Sequence, residues 1–504
     1  MGMFRRILWR SLRRLRQTAI VDDTTTYTCG KLLGGALFIR RAINATSRSP
    51  HVGLLLPTGG AAAASVMATW WARRVAVPLN YLLSADELRY VIEDSEVDTI
   101  VTVGPMLDFL NQQHGDKEAP KASRPRCIPD RVNLLRLDEL KFTGLPPIAL
   151  PPRYNPDDLA VILYTSGTSG RPKGVMLTHS NLTSDVFASI EHAGLSKADA
   201  FLGVLPQFHS FGLTALTLLP LTLGAPVIYS ARFVPRRIVE LIRKHRPLVF
   251  MALPSMYAAL LSVKDATRDD FSSVRLAISG GEPLPASVRD ACLDRFGLQL
   301  FEGYGLTETA PVTHWATPTR NRPASVGQPL PIVKQLIIDE LNKPLPPHQD
   351  GEILLAGPNI MRGYFKQPDL TAAAFTTLDG TRYFRTGDIG RVDSEGYLYI
   401  TGRKKEMLII GGENVFPREI EEVLNQHPAV KDCAVIGVRD PMRGEVPIAF
   451  VEVNDGHDFD ADAIRAWCRQ SLAQFKVPRD IRKIDALPRN PNGKILRRQL
   501  GADA

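Results

Sequence analysis

Apolar residues along this 504-residue chain recur with two different rhythms. Between about Val52 and Tyr304, short apolar runs alternate with stretches of helical spacing: HVGLLLP, VDTIVTV, LAVILYTS, PVIYS, PLVFMALP, VRLAISGG and LQLFEGYG. Runs of this length predict strands, and their alternation with helical patterns predicts βαβ units. The fold class that follows is α/β, with mostly parallel sheets flanked by helices on both faces. In such sheets ligands gather at the carboxyl ends of strands, and several of these runs end in glycine or hydroxyl residues.

Beyond about Val326 the rhythm shifts to short strands and turns, VKQLIID, GEILLAG and GRVDSEGYLYI, which predict a β-rich subdomain. It shifts again near Thr401–Lys405, TGRKK. From there PREIEEVLNQHP and DADAIRAWCRQSLAQ predict helices, and DCAVIGV and IAFVEVN predict strands, so a compact α+β unit closes the chain. The expected division is an N-terminal segment over residues 1–17, a large domain over 18–404 and a small domain over 405–504. Residues 112–130, QQHGDKEAPKASRPRCIPD, are expected to form a polar surface loop. The most apolar stretch, Leu213–Tyr229, is interrupted by Pro220, Gly224 and Pro226, which predicts a buried helix and then a buried strand rather than a membrane span.

Charge changes this picture only at one end. The net charge is +8, yet six arginines and no acid fall within the first 17 residues, leaving the rest near +2. The basic balance therefore does not point to nucleic acid. On a helical wheel Phe4, Ile7, Leu8, Leu12 and Leu15 share a face opposite the arginines. That pattern fits a helix lying on an anionic membrane surface, or a terminal helix docked on the protein. It is too charged for a signal peptide, and Arg6 occupies the place where a myristoylation signal needs Ser or Thr. Five scattered cysteines without a C-x-x-C pair argue against a disulfide framework or a zinc site and fit a cytoplasmic, reducing compartment.

The densest chemistry lies in Tyr164–Gly174, YTSGTSGRPKG, after the strand LAVILY. Backbone N–H groups of such a turn can wrap phosphoryl oxygens, with hydroxyls and Lys173 adding bonds and charge. It is not a P-loop: Pro172 stands where the second glycine belongs, and Gly174 follows Lys173 where a magnesium-binding hydroxyl belongs. Further along stand SGGEPLP (Ser279–Pro285), EGYGLTET (Glu302–Thr309), YFRTGDIG (Tyr383–Gly390), TGRKKEMLIIGGENVFP (Thr401–Pro417) and PRNPNGKI (Pro488–Ile495).

Together these motifs, in this order and spacing, strongly resemble the AMP-forming adenylating enzymes: acyl-CoA synthetases, peptide-synthetase adenylation domains and luciferases. The resemblance runs from about Thr18 to Leu500 and implies a large N-terminal and a small mobile C-terminal domain. It implies that Thr165, Ser166, Gly167, Thr168, Ser169, Gly170 and Lys173 hold the leaving phosphates of ATP. Gly281, Glu282 and Pro283 would border adenine, and Tyr304 beside Gly305 would stack on it. Thr307 would contact the α-phosphate, Glu308 would hold Mg2+, Asp388 would accept from the ribose hydroxyls and Arg403 would contact the nucleotide. Lys405 matches the hinge, Gly411, Gly412, Glu413 and Asn414 match the pantetheine channel, and Lys494 is the implied catalytic lysine.

For the acid, PQFHSFG places His209 where amino-acid-activating relatives usually carry an aspartate, which argues for a simple organic acid. His209 resembles an acyl-tunnel gate, and the implied pocket wall of Phe211, Ala252, Leu253, Pro311 and Val312 is apolar. The expected reaction is activation of a fatty acid to acyl-AMP with ATP and Mg2+, then transfer to CoA. Acyl carrier protein as thiol acceptor, an aryl acid as substrate, and a catalytically degenerate nucleotide-binding membrane protein are the alternatives. Two features depart from the family: Glu282 within GGEPLP, and Trp70, Trp71, Arg73 and Arg74 where small residues are common.

Overall fold

A computed structural model describes residues 2–116, 118–165, 171–410, 413–440, 444–454, 456–489 and 495–501. Two large sheets form the body. The first has nine strands, running in space from Gln328–Pro329 through Val312–Trp315, Leu300–Gly305, Leu276–Gly280, Val249–Ala252, Phe201–Gly203 and Val227–Tyr229 to Thr18–Val21 and Thr26–Thr28. Its six central strands are parallel, with antiparallel strands at both edges. The second has seven strands and includes Leu159–Thr165, Val75–Pro78, His51–Leu54 and Thr99–Thr102. The expected strand runs all occupy these sheets, and most are buried along the greater part of their length. The sheets begin earlier in the chain than the apolar rhythm suggested, since Thr18–Val21 pairs in parallel with Val227–Tyr229.

Leu213–Tyr229 is buried as expected: a π-helical stretch over Phe211–Leu218, a helical turn over Leu219–Leu223 closed by left-handed Gly224, then the strand Val227–Tyr229. The segment 112–130 departs from a polar loop. Cys127 and Ile128 are buried and complete a second core beneath the seven-stranded sheet. Five antiparallel strands between Lys334 and Arg403 form the β-rich subdomain, and among the described residues a further five-stranded sheet with three α-helices, Pro417–Leu424, Ala461–Ser471 and Arg497–Leu500, forms the C-terminal unit. Among the described residues no helix is long and apolar enough to cross a membrane.

The N-terminal segment forms helix α1, Met3–Leu12. Met3, Phe4, Ile7 and Leu8 are buried in the main core, whereas Leu12 and Leu15 stay exposed. The apolar face read from the helical wheel is therefore largely used up inside the protein. The Phe4 ring meets Trp70 and Trp71 at 5.7 and 6.1 Å, edge to face. Those tryptophans end helix α3, Gly60–Trp71, which packs on α2, Cys29–Thr46. The unusual aromatic pair thus forms the seat of α1. Arg74 donates to the carbonyls of Ser47, Arg48 and Ser49 and so ties the strand entry to the end of α2.

Candidate active site

The parallel strands Leu276–Gly280 and Leu300–Gly305 end side by side, with Gly280 opposite Gly303. Glycine is required where they end. Gly281 has φ +85°, and a Cβ on Gly305 would lie 2.0 Å from the carbonyl oxygen of Pro311. A cleft of about 780 Å3 opens at these strand ends and reaches the β-rich subdomain. It gathers Thr165, Lys173, His209, Phe211, Leu253, Gly281, Glu282, Tyr304, Gly305, Thr307, Glu308, Pro311, Val312, Arg403 and Lys405.

On the subdomain side, Asp388 is buried between two partners. The Tyr304 hydroxyl donates to Oδ2 at 2.6 Å, and Arg403 Nε lies 3.0 Å from Oδ1. Asp388 and Arg403 face each other across adjacent antiparallel strands, so strand register sets the pair. Burial, and then the Asp388 carboxylate, push the Tyr304 phenol well above its ordinary range, while Asp388 holds Arg403 firmly protonated.

Thr165 and Lys173 sit opposite each other on an antiparallel pair. Burial lowers the Lys173 ammonium, and Lys405 across the cleft lowers it further. Glu308 follows in the short turn Thr307–Thr309, where it accepts a 2.9 Å hydrogen bond from the Tyr364 hydroxyl. Burial raises its carboxyl above the usual range. A desolvated carboxylate facing the cleft, held by the Tyr364 hydroxyl and its own backbone N–H, is suited to a hard divalent cation. No cluster of three metal-ligating side chains occurs among the described residues. Glu308 is the residue that would hold such an ion.

The opposite end of the cleft is apolar. Gly280 and Gly303 form one wall, and a Cβ on Gly280 would come within 3.3 Å of the Phe211 ring. Leu205, Pro206, Leu253, Met256, Ile278 and Trp315 also line the cleft, with Ser255 and His314 as polar members among them. His209 stands at the junction, where burial pushes its imidazole down to about 4 and so keeps it neutral. Ser210 Oγ lies 3.2 Å from Thr307 Oγ1, which links this end to the phosphate end.

Other expected residues lie elsewhere. Ala252 is buried at the end of its strand and does not line the cleft. Pro283 sits exposed in the turn after the glycines, and Glu413 and Asn414 occupy an exposed strand of the C-terminal unit. Ser166, Gly167, Thr168, Ser169, Gly170, Gly411, Gly412 and Lys494 lie outside the described residues. Sequence reasoning passed over Tyr364, Ser210 and Trp315. Their neighbours come from distant segments, and only MRGYF around Tyr364 offers a local signal, a glycine beside an aromatic.

The chain matches two families, the AMP-binding enzymes over residues 9–365 and their C-terminal domain over residues 419–494. It belongs to the AMP-binding enzyme family. It is an AMP-forming acid–thiol ligase. Among curated relatives, a long-chain-fatty-acid–CoA ligase of Bacillus subtilis is 34% identical over 500 residues, covering 91% of this chain and 86% of its own length. A feruloyl-CoA synthase of Amycolatopsis is 34% identical over 484 residues, covering 95% and 94%. Among solved structures, ATP-bound MatB from Rhodopseudomonas palustris superposes with a TM-score of 0.87 at 30% identity, covering 100% of this chain and 99% of its own. The anthranilate CoA ligase AuaEII with anthranoyl-AMP gives 0.88 at 26% identity, covering 100% and 97%. The α/β architecture with a large N-terminal and a smaller C-terminal unit is the one these relatives share.

Proposed function

We propose that this ligase joins a monocarboxylic acid with an apolar body, a fatty acid in the first reading, to CoA through an acyl-adenylate. The observation that carries the reading is the sorting of charge in the cleft. Among its described lining residues, the fixed cations Lys173, Arg385, Arg403, Lys404 and Lys405 come from the elements around the phosphate and subdomain end, and the acyl end is apolar. A second carboxylate or a sulfonate on the substrate tail would be desolvated there without a partner, which is costly.

In this reading the substrate carboxylate attacks the α-phosphate in line, and pyrophosphate leaves. Tyr304 stacks on adenine, Asp388 accepts from the ribose, and Thr307 holds an α-phosphate oxygen. Mg2+, when bound at Glu308, supplies charge neutralisation for the departing phosphates. Lys494 bridges the carboxylate and the α-phosphate. The C-terminal unit then turns about Lys405, carrying Lys494 away and bringing Gly411–Asn414 toward the cleft for the thiol. Neutral His209 gates the acyl end without adding charge. No side chain acts as nucleophile; catalysis is positioning plus charge neutralisation.

Two relatives favour a second reading, an aryl acid: a feruloyl-CoA synthase and an anthranilate CoA ligase are similar along nearly the whole chain. Pyrophosphate release with palmitate and with ferulate, each with and without CoA, separates the two. Palmitate-dependent release that yields palmitoyl-CoA and collapses in Lys494→Ala supports the fatty-acid reading. Ferulate alone moves the assignment to aryl acids. Release unaffected by CoA moves the thiol acceptor to a carrier protein. No release with either acid moves the substrate assignment to shorter acids.

A further inference from the structure

Residues 1–85 carry twelve Lys and Arg against two acids, Asp22 and Asp23, an excess larger than the +8 of the whole chain. Both acids are engaged locally. Asp22 accepts from Thr24, Thr25 and Gly60, and Asp23 accepts from the Ala231 amide. The positive charge is therefore carried largely by α1, α2 and the segments at the ends of α2 and α3.

Docking α1 does not make its outward side uniformly polar. Arg5, Trp9, Leu12, Arg13 and Arg16 face solvent together, and the Arg13 guanidinium lies 3.6 Å from the centroid of the Trp9 ring. Beside them runs an extended strap, residues 141–153, KFTGLPPIALPPR. In it Leu145, Ile148 and Leu150 are 94%, 96% and 88% exposed. A single exposed leucine needs no explanation, but three large aliphatic side chains almost wholly in water within six residues do.

The strap is anchored to the same helices. Phe142 meets Phe38 at 5.8 Å, Pro146 approaches Gly34, and the Trp71 indole donates to the Leu150 carbonyl. Leu15 abuts Gly30, one turn of α2 before Gly34, and Trp71 touches Phe4 of α1. The strap's aliphatic tips and the outer face of α1 thus share one region of the surface. Lys141 and Arg153 extend the basic rim at the strap's two ends. Pro146, Pro147, Pro151 and Pro152 present no N–H, so less of the strap's backbone needs a partner on leaving water.

We propose that this surface docks on an anionic lipid bilayer, with Leu145, Ile148 and Leu150 entering the acyl boundary and Arg5, Arg13 and Arg16 meeting lipid phosphates. Aliphatic and tryptophan side chains among arginines match the chemistry of the membrane interface, and the acids just before the strap, Asp138 and Glu139, are each paired with Arg136. The proposal rests on this surface alone and is independent of which acid the ligase activates.

The test is co-sedimentation of the full chain with phosphatidylcholine vesicles containing phosphatidylglycerol, against vesicles of phosphatidylcholine alone. The expected result is binding to the anionic vesicles that weakens with salt, with a blue shift of fluorescence that Trp9→Phe removes. The triple variant L145S/I148S/L150S should keep its thermal stability and lose at least about tenfold in partitioning. Each of Arg5→Glu, Arg13→Glu and Arg16→Glu should lose about fivefold. No binding of the parent protein at low salt overturns the proposal, as does a triple variant that binds as well as the parent. A lipid-free dimer that the triple variant converts to monomer overturns it too, by assigning the surface to a second copy of this chain.

Discussion

The Tyr304 hydroxyl lies 2.6 Å from Oδ2 of Asp388, so a strand of the nine-stranded sheet is bonded to a strand of the β-rich subdomain at the floor of the cleft. The bond orients the proposed ribose acceptor and fixes the ring proposed to stack on adenine. Tyr304→Phe keeps the ring and removes the donor. A hydrogen bond to a charged group is worth about 1.5–3 kcal/mol. We expect kcat/KM for ATP to fall by about tenfold or more, with little change in the constants for the acid. Pyrophosphate release measured against ATP concentration checks this, and an unchanged value would show the bond to be incidental.

Glu302 gives a second prediction, with a pH signature. Burial at the end of its parallel strand pushes its carboxyl up to about 7, with Arg418 and Arg289 opposing the shift. Between the unfolded value near 4.3 and about 7, the folded state holds a proton that the unfolded chain has lost. Stability attached to Glu302 is therefore complete below that window and declines as pH rises through it, by at most about 4 kcal/mol. Glu302→Gln should raise the melting temperature near pH 8 and leave it unchanged near pH 4.5, as thermal unfolding at the two values would report.

Buried histidines act in the opposite sense. His179 and His314 are pushed down to about 4 by burial. The unfolded chain takes up these protons near 6.5, the folded protein only near 4, so folding weakens as pH falls between those values. Each contributes up to about 3 kcal/mol at neutral pH. The His179 ring lies 4.2 Å from that of Tyr154, tilted by 33°, so His179→Phe retains a ring there. The variant should flatten part of the acid slope of the melting temperature between about pH 6.5 and about pH 4.

Phe4 tests whether α1 is structural. Its ring lies within 6.2 Å of the rings of Trp70, Trp71 and Tyr154 and is buried. Phe4→Ala should cost about 3–5 kcal/mol, the usual range for emptying a packed aromatic site. Denaturant unfolding of the large domain, followed by tryptophan fluorescence, would report the loss. An unchanged midpoint would mean that α1 docks without supporting the core.

Much of the fold is legible along the chain. LAVILYT and LAISG read as strands because each is a short apolar run bounded by turn residues, and both are strands. Thr18–Val21 was harder to read, since a four-residue strand becomes one only by pairing with Val227–Tyr229, more than two hundred positions away. Cys127 and Ile128 sit in a stretch whose composition is polar, yet packing against the seven-stranded sheet buries them. The cleft divides in the same way. Tyr304, Thr307 and Glu308 stand out in a glycine-rich segment at a strand end, and Asp388 stands out beside Gly387 within its strand. Tyr364 matters because it bonds Glu308 across 56 positions, and no local pattern marks such a pair.

The sequence by itself determined the α/β class, the order of the motifs and the residue types available to an adenylating ligase. Strand spacing and turn chemistry are local, so they can be read without coordinates. Tertiary packing alone decided that α1 is seated on Trp70 and Trp71, that Gly280 and Gly303 form one wall of the acyl end, and that Tyr304 and Arg403 share Asp388. Each of these depends on which distant surfaces meet, and that is set by burying the apolar area of the whole chain at once rather than by any stretch of it.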